Sequence, residues 1–307
     1  MFDPDKYIEK KKDELKEIKG RTVVAASGGV DSTVCAFLAH TVVDDLKVVF
    51  IDDGLMREGE PEQVSSFFKE RGLDITVVNA QKEFFDSLKG ITDPEEKRKA
   101  FRNTFYTVLG RILKDFKAKY LIQGTIAADI KETKGGIKTQ HNVLEQIGID
   151  PKRYGLTIVE PLKDIYKHEV RAVGRALGLP EQLWDRIPFP GPGLACRVIG
   201  EVTPERTEVV RKATKITEEE LLELKPFQTF AVLLNDKATG MKNGNRIFGN
   251  IIAVRCVESK DALTAFPTNV PWKKLEKLRD RILNEIPSVI KVVYDITPKP
   301  PSTIEYI

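Results

Sequence analysis

Alternation of strand-like and helix-like stretches narrows the fold of this chain more than any other feature. The short apolar, β-branched run at 22–26 suits one buried strand, further strands are expected at 47–51, 75–79, 120–123 and 156–159, and helical stretches at 33–39, 60–71, 93–116 and 164–177 interleave with them. The pattern predicts an α/β domain, a doubly wound parallel sheet with helices on both faces. Ligands of such sheets bind beyond the carboxyl ends of the strands. The first strand runs into Ser27-Gly28-Gly29-Val30-Asp31-Ser32. Two adjacent glycines at a strand-to-helix turn let the backbone adopt positive φ and present N–H groups, while the helix start adds free amides and positive dipole. Together they make an anion cradle suited to phosphate. Neither the Walker loop, with its Lys after the glycines, nor the spaced-glycine dinucleotide fingerprint is present. The plainer alternative is a tight turn whose Ser caps a helix.

The run SGGVDS resembles the PP-loop of the N-type ATP pyrophosphatases, which split ATP to AMP and pyrophosphate. The resemblance implies an adenine nucleotide α-hydrolase-like fold, with ATP or pyrophosphate held by Ser27, Gly28, Gly29, Val30, Asp31, Ser32 and Thr33, and by Gly124 after the fourth strand. It also implies a catalytic Asp31 that helps hold magnesium. FIDDGLMR matches the family segment that meets adenine, largely through backbone; for Asp52 and Asp53 turn chemistry serves equally well.

Asp93-Pro94-Glu95-Glu96 is a helix start, with Asp as N-cap, Pro at N1 and Glu at N3. A basic cluster on its first turns ordinarily reads as a solvated face. DPEEKRKAF nevertheless resembles a motif of the GMP synthetase family, which implies that Arg98 binds the phosphate of a nucleotide substrate. Residues 128–142 lack helical or strand periodicity, and so long a connection reads either as a lid or as a surface insertion. QGTIAADI…IKTQHN resembles the family's lid and implies a catalytic Lys138; His141 is expected near the site with no assigned task. Asp164 reads as the N-cap of the following helix, and Gly178 as the residue that ends it. PFPGPGL, another family signature, is dense in proline and glycine and marks the boundary between domains 1–187 and 188–307.

Past that boundary the pattern changes to a strand near 197–202, a helix capped by Thr203, a shorter one capped by Thr217, strands at 227–234 and 247–258, a helix at 271–285 and a strand at 289–297. Strands in succession predict a smaller α+β domain with a mixed or antiparallel sheet. One sheet face is left open, and the resemblance implies that a second copy of the chain covers it in a homodimer. The tail 299–307 reads by composition as loosely tied and removable. VVYDITPKPPSTIE instead matches the family C-terminus, which assigns Lys299 and Glu305 to xanthosine monophosphate (XMP), and FQTFAVLL adds Gln228. The turn Asn243-Gly244-Asn245-Arg246 departs from the family's Gly-Asp pattern and puts one contact in doubt.

The family resemblance therefore runs from Arg21 to the C-terminus and implies ATP-dependent amination of XMP to GMP through an adenylated intermediate. No Cys nucleophile elbow with its His and Glu is visible, so ammonia is expected from a separate glutamine amidotransferase subunit or free in solution. Among 307 residues, 49 basic and 46 acidic side chains leave a charge of only +3, which gives no ground for a nucleic-acid partner. Cys35, Cys196 and Cys256 are widely spaced among apolar neighbours and read as buried small hydrophobes. With no signal peptide and no membrane-length apolar run, a soluble cytoplasmic protein is expected. The competing readings are another PP-loop ligase, such as NAD synthetase or a tRNA-thiolating enzyme, and a nucleotide-binding module without turnover.

Overall fold

The computed structural model describes residues 2–134, 155–180, 183, 187–242 and 244–307, which pack as two compact units. One comprises Met1–Asp52, Glu60–Ala80 and Asn103–Arg186; the other comprises Asp53–Gly59, Gln81–Arg102 and Ile187–Ile307.

The first unit holds β1 (Thr22–Ala26), β2 (Leu46–Asp52), β3 (Ile75–Asn79), β4 (Tyr120–Ile122) and β5 (Thr157–Val159). They form a five-stranded sheet in the order β3-β2-β1-β4-β5 with every pair parallel. Val23, Val24, Val49, Phe50, Leu121 and Ile122 are fully buried, the near-continuous apolar runs of parallel strands covered on both faces. Each such side chain contributes about 1.5–3 kcal/mol when fully buried. Strand order reverses between β1 and β4, so the switch point where ligands of such sheets bind lies at the ends of these two strands.

In chain order the helices are α1 (Pro4–Lys16), α2 (Val30–His40), α3 (Glu60–Lys69), α4 (Gln81–Leu88), α5 (Pro94–Asp115), α6 (Ala127–Lys134), α7 (Lys167–Ala176), α8 (Pro204–Leu221) and α9 (Trp272–Glu285). The charge-rich segment 5–19 reads in sequence as a solvated helix, and this is the first of three expectations for the first unit that are corrected: Tyr7, Ile8, Lys11 and Leu15 of α1 are buried, and α1 packs against α2 and α7. Asp164 does not cap α7, whose N-cap is Tyr166. Instead its carboxylate lies 2.5 Å from the Tyr7 hydroxyl and 3.4 Å from the Lys11 ammonium. The stretch from 128 begins as helix, α6, whose start is set by Asp129 accepting from the Ile126 N–H at 3.0 Å; residues 135–154 lie outside those described.

The second unit is built on the long antiparallel pair β6 (Gln228–Lys242) and β7 (Asn245–Glu258). β7 also pairs with the short antiparallel β8 (Phe266–Pro267) and the parallel β9 (Val289–Tyr294). α8 and α9 pack on each other and against this sheet. Thr203 caps α8 as expected, accepting from the Arg206 N–H at 3.2 Å. Thr217 starts no second helix: its hydroxyl donates to the Ala213 carbonyl four residues back at 2.7 Å, and α8 continues through it. Where a strand was expected at 197–202 there is a 3-10 turn, Gly193–Arg197, and a single bridge between Val198 and Leu233. Phe230, Val232, Ala253, Val257 and Ala265 form the core, and Ile304 of the tail packs among them.

Candidate active site

The loop after β1 has the geometry of an anion cradle. Gly28 has φ +74, and a Cβ there would stand 3.0 Å from the Val64 side chain, so both conformation and space call for glycine. Gly29 is the N-cap of α2 and offers no side chain to cap it, so the first-turn amides face outward uncapped. The serines hold the loop in shape. Ser32 Oγ accepts from the Ser27 N–H at 3.0 Å and lies 3.0 Å from Ser27 Oγ, which itself accepts from the Gly29 N–H at 3.3 Å. Thr33 Oγ1 donates to the Gly29 carbonyl at 2.8 Å. Gly124, at the end of β4, approaches so closely that a Cβ would lie 2.9 Å from the Ser32 nitrogen. Residues 27–33 and Gly124 are thus together at the switch point, with Val30 buried beneath. A cleft of about 290 Å³ opens beside Gly28, walled by Val64, Phe67, Phe68 and Arg71.

Asp31, at the start of α2, points its two oxygens to different ends. Oδ2 accepts from the Lys167 ammonium at 2.6 Å, whereas Oδ1 is buried with no hydrogen-bond partner among the described residues. An unpartnered carboxylate oxygen is a donor that a hard divalent cation takes. Among the described residues no cluster of three or more His, Cys, Asp or Glu side chains is placed to hold a metal. Sequence reasoning missed Lys167. It is the first residue of α7, a position fixed by Glu169 accepting from the Tyr166 N–H at 2.8 Å. A cation at a helix N-terminus opposes the helix dipole, and that local misfit was the available signal.

In the second unit the residues expected to bind nucleotide divide into a joined pair and two outliers. Gln228 Nε2 donates to Glu305 Oε1 at 2.5 Å and to the Pro188 carbonyl at 3.1 Å. Fully buried Arg197 donates to the same carboxylate, Nη2 to Oε1 at 2.9 Å and Nε to Oε2 at 3.2 Å. Arg98 is exposed and pairs with Glu95 one helical turn back. Lys299 donates from Nζ to the Ala262 carbonyl at 2.8 Å. Arg98 is still electrostatically in reach of the cluster. Burial and then Glu305 push the Cys196 thiol up to about 11, while Arg98, Arg197 and Lys97 pull the other way.

Besides Arg197, the buried cations Lys97 and Arg255 were given no role by the sequence reading. Lys97 donates to the Val198 carbonyl at 2.7 Å, and burial brings its ammonium down to about 8, with Arg206 adding to the shift and Cys196 opposing it. Arg255, fully buried, ties down the tail. Its guanidinium donates to Asp295 Oδ2 at 2.9 Å and to the carbonyls of Thr297, Thr303 and Ile304 at 2.8, 2.9 and 3.0 Å. The reading of 299–307 as loose by composition is therefore overturned. Asp53 does use its carboxylate for the turn, accepting from the Leu55 N–H at 2.7 Å. All three cysteines are free and buried. Gly244 turns the β6–β7 hairpin at φ +77, and Asn243, Lys138 and His141 lie outside the described residues. Among the described residues no helix is long and apolar enough to cross a membrane.

Two known families match different stretches of the chain. The family described as queuosine biosynthesis protein QueC matches residues 21–184, which carry the parallel sheet. The family described as GMP synthase C terminal domain matches residues 215–306, which carry β6 to β9 and the tail. Among full-length relatives, the B subunit of the glutamine-hydrolyzing GMP synthase of Methanopyrus kandleri is 50% identical over 317 residues, covering 100% of both chains. Its counterpart in Archaeoglobus fulgidus is 51% identical over 309 residues, 99% of this chain and 100% of that one. The Methanosarcina barkeri protein of the same name is 52% identical over 312 residues, 100% of each.

Proposed function

Because the chain belongs to the family of glutamine-hydrolysing GMP synthase B subunits, we propose that it uses ATP to aminate XMP to GMP. The observation that carries the ATP half is the uncapped start of α2 behind Gly28 and Gly29, with Lys167 and the unpartnered Asp31 oxygen beside it. In the first step the C2 oxygen of XMP attacks the α-phosphorus of ATP, and the bond to the bridging oxygen breaks to release pyrophosphate. Ammonia then adds to C2 and loses a proton, and AMP departs with the former C2 oxygen. No side chain acts as nucleophile; the protein positions the two nucleotides and stabilises charge.

The loop from Ser27 to Thr33 binds the departing pyrophosphate, through the first-turn amides of Val30, Asp31 and Ser32 and the hydroxyls of Ser27 and Ser32. Lys167 turns its charge from Asp31 to the same phosphates. Asp31 is the residue that holds magnesium, which when bound would neutralise charge on the leaving group. A single carboxylate fits that ion, since magnesium commonly takes one or two from protein and the rest from phosphates and water. Lys138 supplies a second cation from residues 135–154, the role its family motif implies. Arg98 takes the XMP phosphate, and Gln228, Lys299 and Glu305 take its nucleoside.

Within residues 188–307, the exposed apolar side chains Met241, Phe248, Phe266 and Ile296 form the face that a second copy covers in a cytoplasmic homodimer. Ammonia comes from a separate glutamine amidotransferase subunit. The deciding experiment mixes the purified chain with ATP, magnesium and XMP and follows AMP and GMP by chromatography. Ammonium is expected to support GMP formation, at a rate that rises with pH as more ammonia is present, and glutamine is not. AMP formation without GMP would turn the assignment towards another PP-loop reaction, the direction in which the QueC match over 21–184 points.

A further inference from the structure

Phe189, in the proline-dense run after the first boundary, is flanked by two guanidinium groups. That of Arg57 lies 4.3 Å from its ring centroid and that of Arg197 lies 4.8 Å away. Arg197 also packs on Phe230 at 4.2 Å. The outer guanidinium is itself fixed, since Arg57 donates to Glu218 Oε1 at 3.1 Å and to the Ile187 carbonyl at 3.0 Å. A planar cation wedged between two aromatic rings has one orientation, and its fork dictates the plane of any carboxylate it binds bidentately.

The carboxylate so held is Glu305, near the chain end, where residues fray by default. Its side chain keeps 20% of its surface exposed while that of Arg197 keeps none. The guanidinium therefore cannot present itself to a ligand, but the carboxylate can. Oε1 already accepts from Arg197 and Gln228 and Oε2 from Arg197, which leaves acceptor capacity pointing away from the fork. A buried ion pair is a weak source of net stability, so stability alone is a poor reason to bury Arg197.

We propose that Arg197, braced by Phe189 and Phe230, is a positioning residue that aims the Glu305 carboxylate at the purine of the nucleotide substrate and thereby sets selectivity among purine bases. The inference rests on the reading above that Glu305 touches that nucleotide.

The test is a double-mutant cycle on the full chain with Arg197→Lys, which keeps the charge but loses the planar fork, and Glu305→Gln. Calorimetric titration gives the affinities for XMP and inosine monophosphate, and ammonium-driven turnover gives kcat and the KM for ATP. Each single variant is expected to weaken XMP binding by roughly tenfold or more and to narrow the preference over inosine monophosphate. In Arg197→Lys the KM for ATP and the kcat at saturating XMP stay within about threefold, and the double variant is no worse than Glu305→Gln alone. Losses that multiply in the double variant overturn the inference and leave the functional reading standing. Wild-type XMP affinity in Glu305→Gln removes the reading and this inference with it. If the Arg197 variant fails to fold, Phe189→Leu, which removes the ring stack but little volume, takes its place in the cycle with the same outcomes for and against.

Discussion

Replacing Lys167 with Met separates a role in holding the fold from a role in chemistry. Its 2.6 Å contact with Asp31 joins side chains that are 46% and 26% exposed. A solvent-screened pair of this kind is worth about 0.2–1 kcal/mol. In a chain of this length such a loss shifts the thermal midpoint by no more than roughly 2–4 °C. The same ammonium, turned to the phosphates, meets charge that accumulates only as pyrophosphate leaves. Removing one pre-aimed group at developing charge typically costs about 2.7–4 kcal/mol, or 10²–10³ in kcat. Lys167→Met should therefore unfold almost as the parent does while AMP release falls by at least roughly two orders of magnitude. Lys167→Arg, which keeps the charge, should recover much of the rate. The assays are differential scanning calorimetry and quantification of AMP formed from ATP, XMP and ammonium. AMP release within threefold of the parent at an unchanged midpoint would refute the reasoning, because Lys167 would then be a surface partner of Asp31 and nothing more.

Asp31→Asn preserves the shape of the loop but offers a hard cation a neutral oxygen, so adenylation should fall by roughly 10²-fold, about 2.7 kcal/mol; parental ATP turnover would exclude Asp31 as the metal-holding residue. Lys97, held down to about 8 by burial, destabilises the fold while charged: the unfolded chain binds more protons between pH 8 and its ordinary value near 10.4, so stability rises across that window. Relative to Lys97→Met, the parent should gain about 3 kcal/mol in denaturant titrations between pH 7 and pH 10.5, and parallel profiles would contradict the burial argument. Deleting residues 299–307 removes tail carbonyls from buried Arg255, the carboxylate from buried Arg197 and Ile304 from the core. It should cost at least about 3–5 kcal/mol, whereas an unfolding curve like the parent's would mean the tail is not part of the fold. Lys299→Ala should leave that curve nearly unchanged and weaken XMP binding by roughly 10 to 100-fold, the worth of a charge-assisted contact of about 1.5–3 kcal/mol; unchanged XMP affinity would take Lys299 out of the site.

Elements whose cause is local were legible in the order of residues. The β-branched runs at 22–26 and 75–79 form short strands, the first buried and the second mostly exposed apart from Ile75, and the Gly28-Gly29 pair turns tightly, because side-chain period and backbone freedom belong to a few consecutive residues. The caps at Asp93 and Thr203 were legible for the same reason, each accepting from an N–H three residues on. The PP-loop residues of the candidate site therefore appeared as one continuous run. Where two local uses of a side chain compete, the tertiary structure chose. Thr217 bonds backward inside α8 because the helix passes through it, and Asp164 takes Tyr7 and Lys11 instead of an N-cap amide. The remaining features are contacts between distant residues. Lys167 lies 136 residues from Asp31, Arg197 lies 108 from Glu305, and Arg255 reaches the tail 48 and 49 residues on. In a linear reading each of these cations is one more charge on a solvated face. Only the folded chain buries or aims it, because the groups that offset the cost of its desolvation come from elsewhere in the sequence.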